Sequence, residues 1–207
     1  MNKPNIKIKQ KYFFKTYLKS ALLENKKEII KRIEIIKNFN CNKYKALAKT
    51  IFIETPNSYI YQQSKYQIIK KESYHKNDFI DIVKALEYFE AVGFVHGDIN
   101  KKNIIYTIEG FKIIDYEPSL VQMRNKKIKL LITIPYVDKI ELQNRKITSK
   151  TDKIGFFYFL LRITNKLSSS SIVKLSKTLD HSIIKYNLSE VSYFDILDYV
   201  FDDNIFA

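Results

Sequence analysis

Polar and apolar residues alternate from Asn5 through Ile6, Lys7 and Ile8 to Lys9, the period of a half-buried strand. Residues 11–18 carry Tyr12, Phe13, Phe14 and Tyr17 and predict a second strand. The period then lengthens. Ile29, Ile33 and Ile36, with Ile30 beside them, place an amphipathic helix within residues 25–39. Two short strands follow at residues 50–53 and 58–61, separated by the turn residues Pro56 and Asn57. The first third of the chain therefore reads β-β-α-β-β.

Beyond Asp78 the helical period returns. Phe79, Ile82, Val83, Leu86 and Phe89 share one stripe, with Asn77 or Asp78 as the start and Gly93 as the stop. Residues 104–106 and 111–114 flank Glu109 and Gly110, a hairpin signal. Residues 154–163 are apolar nearly all round and predict a buried helix. Two or more amphipathic helices are expected from there to about Phe201, with a loop at the serines 168–171. The expected class is α+β in two lobes. Residues 1–63 would form a small sheet with one helix, and residues 64–207 a mainly helical lobe with one hairpin.

Charge narrows the range of partners. Across 207 residues, 36 Lys and Arg face 22 Asp and Glu, a net +14. A field of that sign attracts anions such as nucleotides, phosphorylated sugars, anionic lipid surfaces or nucleic acid. The lysines are scattered in short pairs, and nothing but charge points to nucleic acid. Cys41 is the only cysteine, which excludes an intramolecular disulfide and any cysteine-built metal centre. Residues 1–10 lack the apolar core of a signal peptide, and the longest apolar run, residues 156–161, is too short to cross a bilayer. A cytoplasmic location is expected, with peripheral contact at an anionic inner membrane surface compatible with the charge.

The chemistry concentrates after the Gly93 stop. A polar loop carries His96, Gly97, Asp98, Asn100, Lys101, Lys102 and Asn103, the hairpin follows, and its second strand ends on Asp115. The loop and the strand end bring two carboxylates and an amide oxygen to one rim. Hard oxygen ligands of this kind suit Mg²⁺, which completes its shell with substrate phosphates. Taken singly, His96 also reads as a core histidine, Asp98 and Asn103 as turn residues, and Asp152 as a helix cap.

His-x-Asp-x-x-x-x-Asn, then a hairpin, then two aliphatic residues and Asp, resembles the catalytic core of the protein-kinase-like superfamily. Thr133, Pro135 and Tyr136 resemble its substrate-positioning loop. Asp152 resembles the buried aspartate that anchors the catalytic loop. Lys15 and Glu34 stand at a separation that suits the family's lysine–glutamate ion pair. The resemblance covers about residues 7–165 and implies a set of roles. Asp98 would orient the attacking hydroxyl as catalytic base, and Lys102 would offset charge on the γ-phosphate. Lys15, fixed by Glu34, would hold the α- and β-phosphates of ATP. Asn103 and Asp115 would hold Mg²⁺, while His96 and Asp152 support the loop.

The departures are informative. No glycine precedes Gly93, and only 14 residues precede Lys15, so the glycine-rich nucleotide lid of kinases is reduced or absent. Tyr116 and Glu117 follow the metal aspartate where Phe-Gly is usual, and Gly97 replaces the arginine of regulated protein kinases. Glu141 stands one position off the glutamate expected at the end of the activation segment. The C-terminal lobe is short. His-Gly-Asp is similar to small-molecule, lipopolysaccharide-core and some atypical protein kinases. The expected function is ATP-dependent phosphotransfer to a hydroxyl, with a protein Ser, Thr or Tyr slightly favoured. A lipopolysaccharide-core or other sugar hydroxyl is the first alternative, and a pseudokinase binding module the second.

Overall fold

The computed structural model describes residues 5–8, 11–20, 26–115, 148–166 and 190–202. The first four strands are β1 (Asn5–Ile8), β2 (Tyr12–Leu18), β3 (Thr50–Glu54) and β4 (Ser58–Ser64). They pair antiparallel in the order β1-β2-β4-β3. Register puts Lys15 opposite Tyr61, and Tyr61 opposite Phe52. Strand alternation sends Lys15, Tyr17, Phe52, Tyr59 and Tyr61 to one face, where all five are buried. Lys15 therefore sits in the middle of β2. Helix α1 (Lys26–Lys37) joins β2 to β3 and packs against β3. Its Ile33 and Ile36 are buried, as the periodicity requires.

The second half begins with a 3₁₀ turn, Lys76–Phe79, that leads into α2 (Ile80–Ala91). The helix starts later than the cap residues suggested. The Asp78 carboxylate accepts from His75 N at 2.8 Å, which closes the turn before α2 rather than capping it. Gly93 (φ +67°) ends the helix in the left-handed conformation, and Phe94 N donates back to Phe89 O at 2.8 Å. Strands β5 (Ile104–Thr107) and β6 (Gly110–Ile113) form the expected hairpin around Ile108 and Glu109. Gly110 follows this turn at φ +92°, and Thr107 Oγ1 donates to its carbonyl at 2.8 Å.

Two pieces from upstream flank the hairpin. Leu47 bridges to Ile113 in parallel, and Ile68 bridges to Thr107 antiparallel. Behind it lies α3 (Ser149–Ile163), capped by Thr148, whose side chain accepts from Lys150 N. This helix begins before the apolar run because Thr151, Asp152 and Lys153 are polar yet buried. Lys153 pairs with Glu90 at 3.1 Å and lies over the Tyr193 ring. Helix α4 (Tyr193–Asp202) packs on α3 and α2. Phe79, Phe111, Phe159, Phe156 and Tyr193 form a chain of edge and stacked rings at the centre of this half. The result is a mixed α and β chain with small antiparallel sheets. No helix among the described residues is long and apolar enough to cross a membrane.

Candidate active site

The polar loop after Gly93 is held from behind by one carboxylate. Asp152 Oδ2 accepts from His96 N, and Asp152 Oδ1 accepts from Gly97 N, both at 2.7 Å. Consecutive amides can aim at one carboxylate because Gly97 adopts φ +81°, a region side-chain-bearing residues avoid. Asp152 is fully buried in the first turn of α3, where the positive end of the helix dipole favours its charge. Gly155, one turn on, lets the helix backbone approach Ile99 of the same loop closely.

His96 supports the loop from inside. Its Nε2 lies 2.9 Å from Ile114 O, and its Nδ1 lies 3.3 Å from Asp98 N. Nε2 must donate to the carbonyl and Nδ1 must accept from the amide, so the ring is the neutral Nε2–H tautomer. Burial pushes its pKa below the ordinary value, opposed by the Ile114 carbonyl and the nearby carboxylates.

The Asp98 carboxylate is gripped by two amides. Asn100 Nδ2 donates to Oδ1 at 2.6 Å, and Asn103 Nδ2 donates to Oδ2 at 2.8 Å. Both Nδ2 groups also donate to the Asp98 carbonyl. Asn100 uses its own oxygen to accept from Lys102 N at 2.8 Å. The Asn103 amide has its nitrogen committed to Asp98, which turns Oδ1 the other way. Its backbone carbonyl accepts from Ile114 N at 2.8 Å and so ties the loop to the residue before Asp115.

Asp115 stands just beyond β6 at φ +67°. A non-glycine residue in that region stores backbone strain, a feature common where a side chain must be aimed for function. Lys15 Nζ lies 2.8 Å from Asp115 Oδ1, with side-chain exposures of 8% and 36%. Lys15, Asp98, Asn103 and Asp115 thus belong to one connected set drawn from β2, the polar loop and the end of β6.

Two of the expected residues are not brought into this set. No ion pair joins Lys15 to Glu34: the helical stripe turns Ile33 and Ile36 inward, and Glu34 is exposed. Asp115 is a carboxylate that Lys15 meets instead. Lys102 is exposed and lines a cleft that none of Lys15, Asp98, Asn103 or Asp115 lines. Thr133, Pro135, Tyr136, Tyr116, Glu117 and Glu141 lie outside the described residues.

The structure adds two residues that sequence reading passed over. Asn100 holds Asp98. Arg32, on α1, donates to Val95 O at 2.7 Å and lies 4.1 Å over the Phe94 ring, joining the helix of the first half to the loop of the second. Its place beside Ile33 on the buried stripe was the available signal.

Among the described residues no group of three His, Cys, Asp or Glu side chains converges as a metal cage. The donor set is instead one carboxylate with one amide oxygen. That pair fits a magnesium ion that takes its remaining ligands from water and phosphate. No protein-family model matches the chain, and no curated protein matches it in sequence.

Proposed function

We propose that the chain is an ATP-dependent phosphotransferase of the two-lobed, protein-kinase-like type, acting on a hydroxyl acceptor. The observation that carries the reading is the contact between Lys15 and Asp115 across 100 positions of sequence. It joins a strand lysine of the first half to the carboxylate beside Asn103 and Asp98. The order of parts supports the reading: a lysine strand, a helix, two strands, an anchored polar loop and a hairpin ending in Asp. Lys15 is the cation for the α- and β-phosphates. Asn103 Oδ1 and the Asp115 carboxylate are the magnesium ligands, and the ion would neutralise phosphate charge during transfer. Asp98, fixed by Asn100 and Asn103, orients the acceptor hydroxyl and takes its proton. The acceptor favoured is a protein side-chain hydroxyl, with a sugar hydroxyl second.

One observation favours a binding module instead. Asp115 Oδ1 is already engaged by Lys15, and residues 1–92 contain no glycine. The deciding experiment is ADP release from Mg²⁺-ATP by the full chain, with mixed protein and sugar acceptors, beside an Asp98→Ala control. Turnover by the wild type above the variant supports the enzyme. Nucleotide binding with equal, vanishing rates in both supports the module.

A further inference from the structure

The catalytic loop has a second side. Asp98 and Asn103 bond to each other within it, while Lys101 and Lys102 line a separate cleft of about 770 Å³. Its other walls come from residues 68–74, from β5 and from the end of α3. This volume lies within the range of ligand and peptide sites.

The lining is chemically lopsided. Lys71, Lys101, Lys102 and Arg162 face one carboxylate, Glu72. Lys71 is partly satisfied by Asp78, and Lys101 and Lys102 bring further positive charge from the catalytic loop. Between the cations lie apolar groups: Ile68, Ile105, Tyr106 and Ile163. Ile68 is 65% exposed and presents an apolar surface at the cleft. Ile69 N donates to Tyr106 O. At this single antiparallel bridge to Thr107 the peptide groups of Ile68 itself therefore point away from β5, the direction in which an added extended chain is bonded.

We propose that this cleft docks an extended acidic peptide bearing an apolar side chain. Its carboxylates are held by Lys101 and Lys102, and its apolar group by Ile68 and Ile105. Charge complementarity selects the sign of the partner, and the apolar wall separates a peptide of this kind from a bare polyanion. Within the phosphotransferase reading, on which this assignment of a partner rests, the peptide belongs to the protein acceptor. The cleft also adjoins the catalytic machinery directly, since Lys102 N bonds Asn100, which bonds Asp98.

The test is fluorescence anisotropy on the folded full chain without nucleotide. The probes are a labelled peptide alternating Glu and Leu, an all-Glu peptide of equal charge, and glucose 6-phosphate as competitor. The variants are Ile68→Asp and Lys101→Glu, each checked for fold by circular dichroism and for Mg²⁺-ATP binding. The expected result is preferential binding of the Glu-Leu peptide, weakened about tenfold or more in either variant, with unchanged nucleotide binding. Equal binding of the all-Glu peptide would reduce the effect to bulk charge and overturn the proposal. So would displacement by glucose 6-phosphate, or affinity unaltered in both variants. Peptide docking without any ATP turnover would leave the cleft assigned and remove the enzyme reading.

Discussion

Asn103 Nδ2 lies 2.8 Å from both the carbonyl oxygen and the Oδ2 of Asp98, so one amide fixes the backbone and the side chain of the same residue. A carboxylate held that way needs no reorganisation to meet an acceptor. Asp98→Ala is expected to slow phosphoryl transfer by about 10²–10⁴-fold, the range for a positioned general base. Nucleotide affinity should stay the same, because the role proposed for Asp98 is toward the acceptor. Parallel kinetics and calorimetry check both halves of the statement, and wild-type rates in the variant would remove the role.

Asp115→Asn should weaken Mg²⁺-ATP binding while sparing the fold. The amide is a poorer ligand than the carboxylate and cannot form the ion pair with Lys15. Titration of ATP with and without Mg²⁺ is the measurement. Equal metal-dependent affinity in both proteins would reassign the ligand.

Asp152→Ala leaves the His96 and Gly97 amides without their acceptor in a buried setting. An unsatisfied buried donor costs about 1–3 kcal/mol, so urea denaturation should register a large loss. Asp152→Asn keeps one acceptor oxygen and should lose less. A reversed order would mean the carboxylate is not the loop's anchor.

Gly155→Ala tests how closely α3 meets the loop. An added Cβ would lie 2.6 Å from Ile99 O, and backbone cannot swing aside as a flexible side chain can. A loss of about 1–3 kcal/mol is expected from overpacking, where an unhindered mid-helix Gly→Ala change is stabilising. Thermal unfolding distinguishes the two signs.

His96 makes stability depend on pH. Burial lowers its folded pKa below the ordinary 6.5, opposed by the Ile114 carbonyl, Asp98 and Asp115 and assisted by Arg32. Below that ordinary value the unfolded chain binds a proton that the folded chain refuses, so the native state loses stability as pH falls through about 6.5. Above it the contribution is complete and flat. Melting temperature measured from pH 8 to pH 5 should decline at the acid end, and the His96→Gln variant should show a shallower decline. Parallel curves would exclude this histidine as the source.

The parts legible in the sequence were those where one period dominates. The aromatic strand within residues 11–18, the Ile33 and Ile36 stripe and the Gly110 turn all stand in the structure at the expected places. Polar residues with buried destinations were harder to read. Thr151, Asp152 and Lys153 disguised the first turn of α3, because their partners, the loop amides and Glu90, are more than fifty residues away. Glu34 lies one helical step from the buried Ile33, and that step decides whether a carboxylate faces the loop or water. Arg32 takes the inward position. Lys102 was read with Asp98 from the resemblance to basic residues in kinase catalytic loops, yet it lines a cleft that Asp98 does not.

The two bridges beside the hairpin, Leu47 to Ile113 and Ile68 to Thr107, have a bearing on how the chain is made. Both flanking pieces leave the ribosome before β5 and β6 exist. They must wait, with the loop-closure entropy of those distant pairings still to be met, until the hairpin emerges and inserts between them. Nascent chains shorter than about residue 113 therefore lack the partner that joins the two flanks. Pairing of Leu47 and Ile68 with the hairpin is therefore a late event of synthesis, set by the hairpin's arrival.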